Sequence, residues 1–218
     1  MDLLLAERLL LISIDPRTGK PHSYPGMALS PALSGALLVD VLQRGAARME
    51  GDRIIPVCPT GDPLLDQTLS TLASNRRTRT LTYWVRNLFD RRRDLLDRLV
   101  QRGLLAEQRE KVLGLFPKTR YMLIAPAAYE ETAAPLRQVL LGQTWSIPFQ
   151  AGVLAALVGV TGLASFVVPP PFQPEADQRA RGMAKGDPAA QAVTAAIREM
   201  QAGAAFAAGT MMMVSAAH

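Results

Sequence analysis

Cysteine is almost missing from this chain. The single residue, Cys58, excludes an internal disulfide and a cysteine-built zinc site, and it fits a reducing compartment. Histidine is nearly as scarce: His22 falls in a loop and His218 at the end of the sequence, so neither HExxH nor any Cys-His arrangement with ligand spacing occurs. There is no GxSxG, and "PTGDP" lacks the GK[ST] ending that would put a lysine on bound phosphates. Asp62 and Asp66 lie four apart on one helix face, where capping and helix-dipole roles explain them better than acid/base work. Cys58 reads as a small strand residue. No catalytic residue, no metal and no cofactor is therefore expected, and the chain is read as not an enzyme. Long polar tracts are also lacking, so disorder is not the default reading. A basic segment before an apolar core is missing from "MDLLLAERLLLIS", which is interrupted by Glu7 and Arg8 and reads as an amphipathic helix, not a signal peptide.

What the sequence does have is apolar content, 49% over 218 residues, enough to bury a substantial core as one domain or two small ones. Residues 3–10 read as helical, followed by a turn at Asp15-Pro16-Arg17-Thr18-Gly19. A second helix starts near Ser30-Pro31 and runs through "ALSGALLVDVLQRG". "GDRIIPVC" is a short strand candidate. In "TGDPLLDQTLSTLA", Asp62 is the expected N-cap and Pro63 the first helical residue. "KVLGLFPKTRYMLIA" reads as a β-hairpin with a basic tip at Pro117-Lys118-Thr119-Arg120, and "APLRQVLLG" as a short helix. No charge occurs from Gln138 to Pro174. Within that stretch, 151–168 falls short of the roughly 20 residues of a transmembrane span and fits a buried core helix as well. The C-terminal run of small residues reads as a helix for close packing, with Met211, Met212 and Met213 as core filling.

Charge is unevenly placed. Between Arg76 and Arg120 there are thirteen Lys/Arg and five Asp/Glu, so the rest of a chain with net charge +5 is slightly acidic. A concentrated positive segment implies an anionic partner, nucleic acid or an acidic membrane surface, although a solvated arginine-rich face is the plainer alternative. Wound as one helix, "RNLFDRRRDLLDRLVQRG" places Leu88, Leu95, Leu96 and Leu99 within about 100° of arc, with Asp90, Asp94 and Asp97 opposite. Arg92 falls inside the leucine stripe. A basic helix followed by a hairpin fits a winged helix on DNA, with Arg91, Arg92, Arg93 and Arg98 in the major groove and Lys118 and Arg120 on phosphate. It fits equally a membrane-facing surface, with arginines on headgroups and the apolar hairpin in the interface. Three outward aspartates suit a polyanion poorly, whereas an arginine set at the stripe suits a pocket at the helix end.

Six blocks, "LLLAERLLLISIDPRTGK", "LSGALLVDVLQRG", "PTGDPLLDQTL", "YWVRNL", "DRLVQRGLL" and "VLGLFPKTRYML", follow in order the pattern of the Golgi phosphoprotein 3 family. The resemblance covers residues 3–125 and continues more weakly to the end. It implies a mostly α-helical single domain over 1–218 with a β-hairpin, and a buried helix at 151–168. Eukaryotic members are peripheral Golgi adaptors that bind phosphatidylinositol 4-phosphate and retain glycosyltransferases. Their headgroup pocket uses a tryptophan, an arginine shortly after it, and two basic residues three apart on the arginine-rich helix. The second of that pair falls on Arg92. The first falls on Phe89, the arginine on Ser34, and the tryptophan on Pro25 or Tyr24. The arginine-rich N-terminal arm of eukaryotic members has no counterpart, so the chain is similar to the bacterial branch. A longer segment in eukaryotic relatives before the charged helix leaves open a break near Phe89-Asp90, with Arg92 then a snorkelling arginine or one half of a buried pair.

The resulting expectation is a cytoplasmic, peripheral membrane protein that binds anionic phospholipid, a phosphoinositide by resemblance, and acts as an adaptor for a client membrane protein. Arg91, Arg92 and Arg93 are the candidate headgroup ligands. Val112, Leu113, Leu115, Phe116, Lys118 and Arg120 form the candidate membrane-contacting hairpin. The alternatives are a winged-helix-like DNA-binding protein, although nucleic acid is not the expected partner, and an interaction module that has lost lipid binding; self-association is left open.

Overall fold

The computed structural model describes residues 2–19, 21–22, 28–75, 77–88, 91–112, 116–188, 190–192 and 194–195, with backbone only at 109–112 and 116–118. It is mostly α-helical, with one three-stranded and one two-stranded sheet.

At the centre are helices that need no polar face. In α1 (Leu5–Ile12) every residue but Arg8 is buried, and α2 (Leu29–Gln43) is buried along most of its length. A helix apolar all round belongs inside a fold, and α1 packs against α2, α5, α6 and α7. Strands β1 (Ala47–Glu50), β2 (Arg53–Pro56) and β3 (Arg79–Thr80) form an antiparallel sheet in that order. Between them runs α3 (Pro63–Ser74), which begins as its sequence predicts. The Asp62 carboxylate accepts the N–H groups of Leu64 at 3.0 Å and Leu65 at 3.3 Å, and Pro63 occupies the first turn.

The arginine-rich segment is two helices, α4 (Leu81–Asn87) and α5 (Arg92–Gln101). They serve different neighbours: α4 packs on α2, while α5 packs on α1 and the hairpin. One continuous helix could not meet both. Leu88 therefore belongs to the end of α4, and Arg92 opens α5 instead of interrupting a stripe.

The hairpin differs from its sequence reading. It comprises β4 (Leu105–Val112) and β5 (Phe116–Leu123), with Val112 opposite Phe116. The reversal lies between those residues, and Pro117, Thr119 and Arg120 are within β5. The charged strand "LAEQREKV" has poor β-propensity and little alternation, so pattern alone places the turn too late. Pro117 is tolerated because a two-stranded ribbon has two open edges.

The uncharged stretch becomes α7 (Phe149–Thr161), stopped by Gly162 in the left-handed region at φ 68°, followed by the short α8 (Ala164–Val167). Thirteen residues span roughly 20 Å, against a hydrocarbon core of about 30 Å. Among the described residues no helix is long and apolar enough to cross a membrane. Instead α7 packs against α9 (Gln173–Gly186), α6 (Pro126–Leu141), α1 and α2, and α9 brings the backbone of Ala180 against Gly159. The expected C-terminal packing, including Met211 to Met213, lies outside the described residues.

Candidate functional site

The loop after α1 folds back on Asp15. Its carboxylate accepts the N–H of Arg17 at 2.8 Å and the hydroxyl of Thr18 at 3.0 Å, and the N–H of Gly19 donates to its carbonyl at 2.8 Å. These bonds hold the Asp15 carboxyl below its ordinary range, the Arg17 N–H being the main cause. Gly19 takes φ +64° and lies against β5, where a Cβ would come within 3.1 Å of the Tyr121 carbonyl oxygen. Only glycine satisfies both conditions. The turn thus becomes a wall of a cavity of about 580 Å³, whose other walls are α1, α5 and β5.

Three arginines line that cavity: Arg92 and Arg93 from the first turn of α5, and Arg120 from β5. Its apolar surface comes from Leu10, Ile14 and Leu96, with Tyr121 beside Arg120. Arg92 is half-buried and lies one turn before Leu96 on the same helix face. Arg93 is more exposed and donates from Nε to both Asp97 oxygens at 3.0 and 3.1 Å; that bond is the main reason its pKa is raised. His22 stacks on Phe166 at 4.0 Å, and burial lowers its pKa against the pull of Asp15.

The candidate ligands divide. Arg92 and Arg93 reach the cavity, but Arg91 turns away to Asp94 at 3.2 Å and to the Thr71 hydroxyl on α3 at 3.5 Å. Arg120, expected at the hairpin tip, joins the cavity instead. Ser34 is buried inside α2, so it cannot stand in for a headgroup ligand. Tyr24, Pro25, Phe89, Leu113 and Leu115 lie outside the described residues, as do the side chains of Val112, Phe116 and Lys118. Cavity residues missed in the sequence, such as Leu10 and Gly19, are ordinary helix and turn residues there.

The remaining arginines of α5 have structural work. Glu7 is fully buried in α1. It accepts from Arg98 Nε at 2.9 Å, from Arg102 Nη1 at 2.9 and 3.2 Å and from its own Leu4 N–H at 2.8 Å. Arg98 also forks onto Asp62 at 2.8 and 2.6 Å. Burial alone would raise the Asp62 pKa; the Arg98 bond and charge and the two capping N–H groups outweigh it and hold it low, while Asp62 raises that of Arg98. A buried acid pair for this helix exists, but with Arg98 and Arg102.

Such an arrangement defines a helical domain with a guanidinium-lined cavity whose wall is one strand of a β-hairpin. The Golgi phosphoprotein 3 (GPP34) family model matches residues 5–200, and the chain belongs to that family. Among curated proteins, no significant match was found. Among the described residues no group of histidine, cysteine or acidic side chains could hold a metal ion.

Proposed function

We propose that the protein binds anionic phospholipid as a peripheral membrane protein and is not an enzyme. The observation that carries this reading is the convergence of Arg92, Arg93 and Arg120 on one apolar-floored cavity. Guanidinium groups grip phosphate oxygens in forked pairs, and low-dielectric walls strengthen that attraction. The hairpin adds a reason for a membrane. Arg120 and Phe116 are four residues apart on β5, roughly 13 Å of strand. A headgroup in the cavity would therefore lie within interfacial distance of the apolar sequence "LGLF". Arg92 is also the position that the family resemblance assigns to a phosphoinositide headgroup. Arg93 and Arg120 would replace the missing basic partners. The adaptor role and the client membrane protein rest on the resemblance.

DNA binding is the weaker reading. Arg92 and Arg93 face the cavity and not a flat outer face, Arg91 is paired with Asp94, and Arg98 and Arg102 are held by Glu7 and Asp62. Little of α5 would be left for a phosphate backbone.

Co-sedimentation with vesicles carrying phosphatidylinositol, its 4-phosphate, phosphatidylglycerol or neutral lipid alone tests the proposal. Binding to the acidic vesicles is expected, reduced about fivefold by either Arg92→Ala or Arg120→Ala, because one basic residue near an anionic surface contributes about 1 kcal/mol. Equal binding to neutral vesicles would overturn it, and preference among the acidic lipids names the headgroup.

A further inference from the structure

Across the start of α5 from this cavity lies a second pocket, of about 540 Å³, between the end of α3, β3 and α4. Arg91 marks the divide: it reaches Thr71 in the second pocket's wall, while the next residue, Arg92, lines the first cavity. Two further arginines, Arg77 and Arg79, line the second pocket, and among the described residues no carboxylate does. Arg79 sits 4.8 Å from the centre of the Tyr83 ring, which holds the guanidinium plane in place.

Buried polar groups are as a rule hydrogen-bonded. Here three buried donors have no acceptor among the described residues: Arg79 Nε, the Trp84 indole N–H and Arg91 Nε. Arg79 and Trp84 line the pocket itself, Trp84 being only 4% exposed. Arg91 stands behind the lining and is paired with Asp94; the two unpaired groups of the lining are both donors, and Arg79 carries positive charge, as does Arg77 beside it. A wall with surplus N–H groups and no acid is complementary to a group that offers only acceptors and negative charge. An oxyanion with several oxygens meets both needs, and phosphate matches the guanidinium fork.

We propose that this pocket is a second phosphate-binding site, in which Arg77 and Arg79 hold a phosphate group beside the Trp84 indole N–H. The phosphate is carried either by a soluble phosphate compound or by a lipid headgroup. The site is separate from the Arg92 cavity and stands without it.

Trp84 provides the readout. The only other tryptophan, Trp145, is fully exposed, so Trp145→Phe leaves Trp84 as the sole tryptophan in the full chain, read by excitation at the red edge, where tyrosine does not absorb. This protein is titrated with inorganic phosphate against chloride at matched ionic strength, and separately with phosphatidylglycerol-containing against neutral vesicles. A saturable change in Trp84 emission is expected with phosphate or with the acidic vesicles. It should weaken at least about tenfold in Arg77→Ala/Arg79→Ala, since each charge-assisted hydrogen bond lost is worth about that factor. The response to free phosphate should be the same in Arg92→Ala, because Arg92 lines the other cavity. A response to free phosphate identifies a soluble ligand, and one confined to acidic vesicles a lipid. Should the double variant fold poorly by circular dichroism, the exposed Arg77→Ala alone must still weaken the response. No saturable change with either probe, or a change untouched by these substitutions, overturns the proposal.

Discussion

Glu7 carries more of the fold than its place in a leucine-rich helix suggests. It is fully buried and satisfies two arginines that are distant in sequence, 91 and 95 residues away, together with its own helix start. Removing one partner of a buried pair leaves uncompensated charge, so Glu7→Leu should destabilise the protein by about 3 kcal/mol in urea unfolding. A loss below about 1 kcal/mol would contradict the role assigned to it. Asp40 makes a second prediction. Its carboxylate accepts the N–H groups of Leu5 at 2.9 Å and Ala6 at 3.2 Å, but burial dominates and raises its pKa from 3.8 to about 7. The folded state then holds a proton that the unfolded chain has released. The stability this group contributes is full below the unfolded value and is lost as pH rises through about 7. In Asp40→Asn the Tm relative to wild type should therefore improve from pH 5 to pH 8, and a constant difference would contradict the assignment. Neither carboxylate could be placed from sequence, because their partners come from tertiary contacts. Asp62 could, because a cap and its helix are neighbours in the chain.

At the scale of elements, what was legible follows the same division. Helices α2 and α3 begin close to where proline and aspartate mark them, whereas the 151–168 segment, read as one helix, is divided at the left-handed Gly162 between α7 and α8. The hairpin register was not legible, and the division between α4 and α5 was legible only as an open alternative, a break near Phe89-Asp90, since packing partners decide both. Close approach of helices is similarly hidden. A Cβ at Gly159 of α7 would lie 2.6 Å from the backbone of Ala180 in α9, so Gly159→Val should cost about 2–3 kcal/mol and lower Tm. If the Tm is unchanged, the α7–α9 crossing is looser than described. For the hairpin, Leu115→Asp should weaken vesicle binding without changing Tm, because it sets a charge in the segment proposed to enter the interface.

At the scale of the molecule, the excess of arginine read in the sequence resolves into unequal parts. Arg98 and Arg102 hold the fold together, Arg91 and Arg93 are tied to neighbouring aspartates, and Arg92, Arg93 and Arg120 converge on the cavity. Composition shows the charge but not this division, and only Arg92 was singled out by its position beforehand. Lipid binding through the cavity should weaken between low and physiological salt, where screening acts over about 8 Å. The measurement that bears most directly on the account is co-sedimentation of the wild type and Arg92→Ala/Arg120→Ala with phosphatidylglycerol-containing and neutral vesicles. Wild-type binding to the acidic vesicles alone is predicted, with a loss larger than the roughly fivefold of either single variant in a double variant whose Tm is preserved. Undiminished binding by the double variant, or none by the wild type to either vesicle, would contradict it.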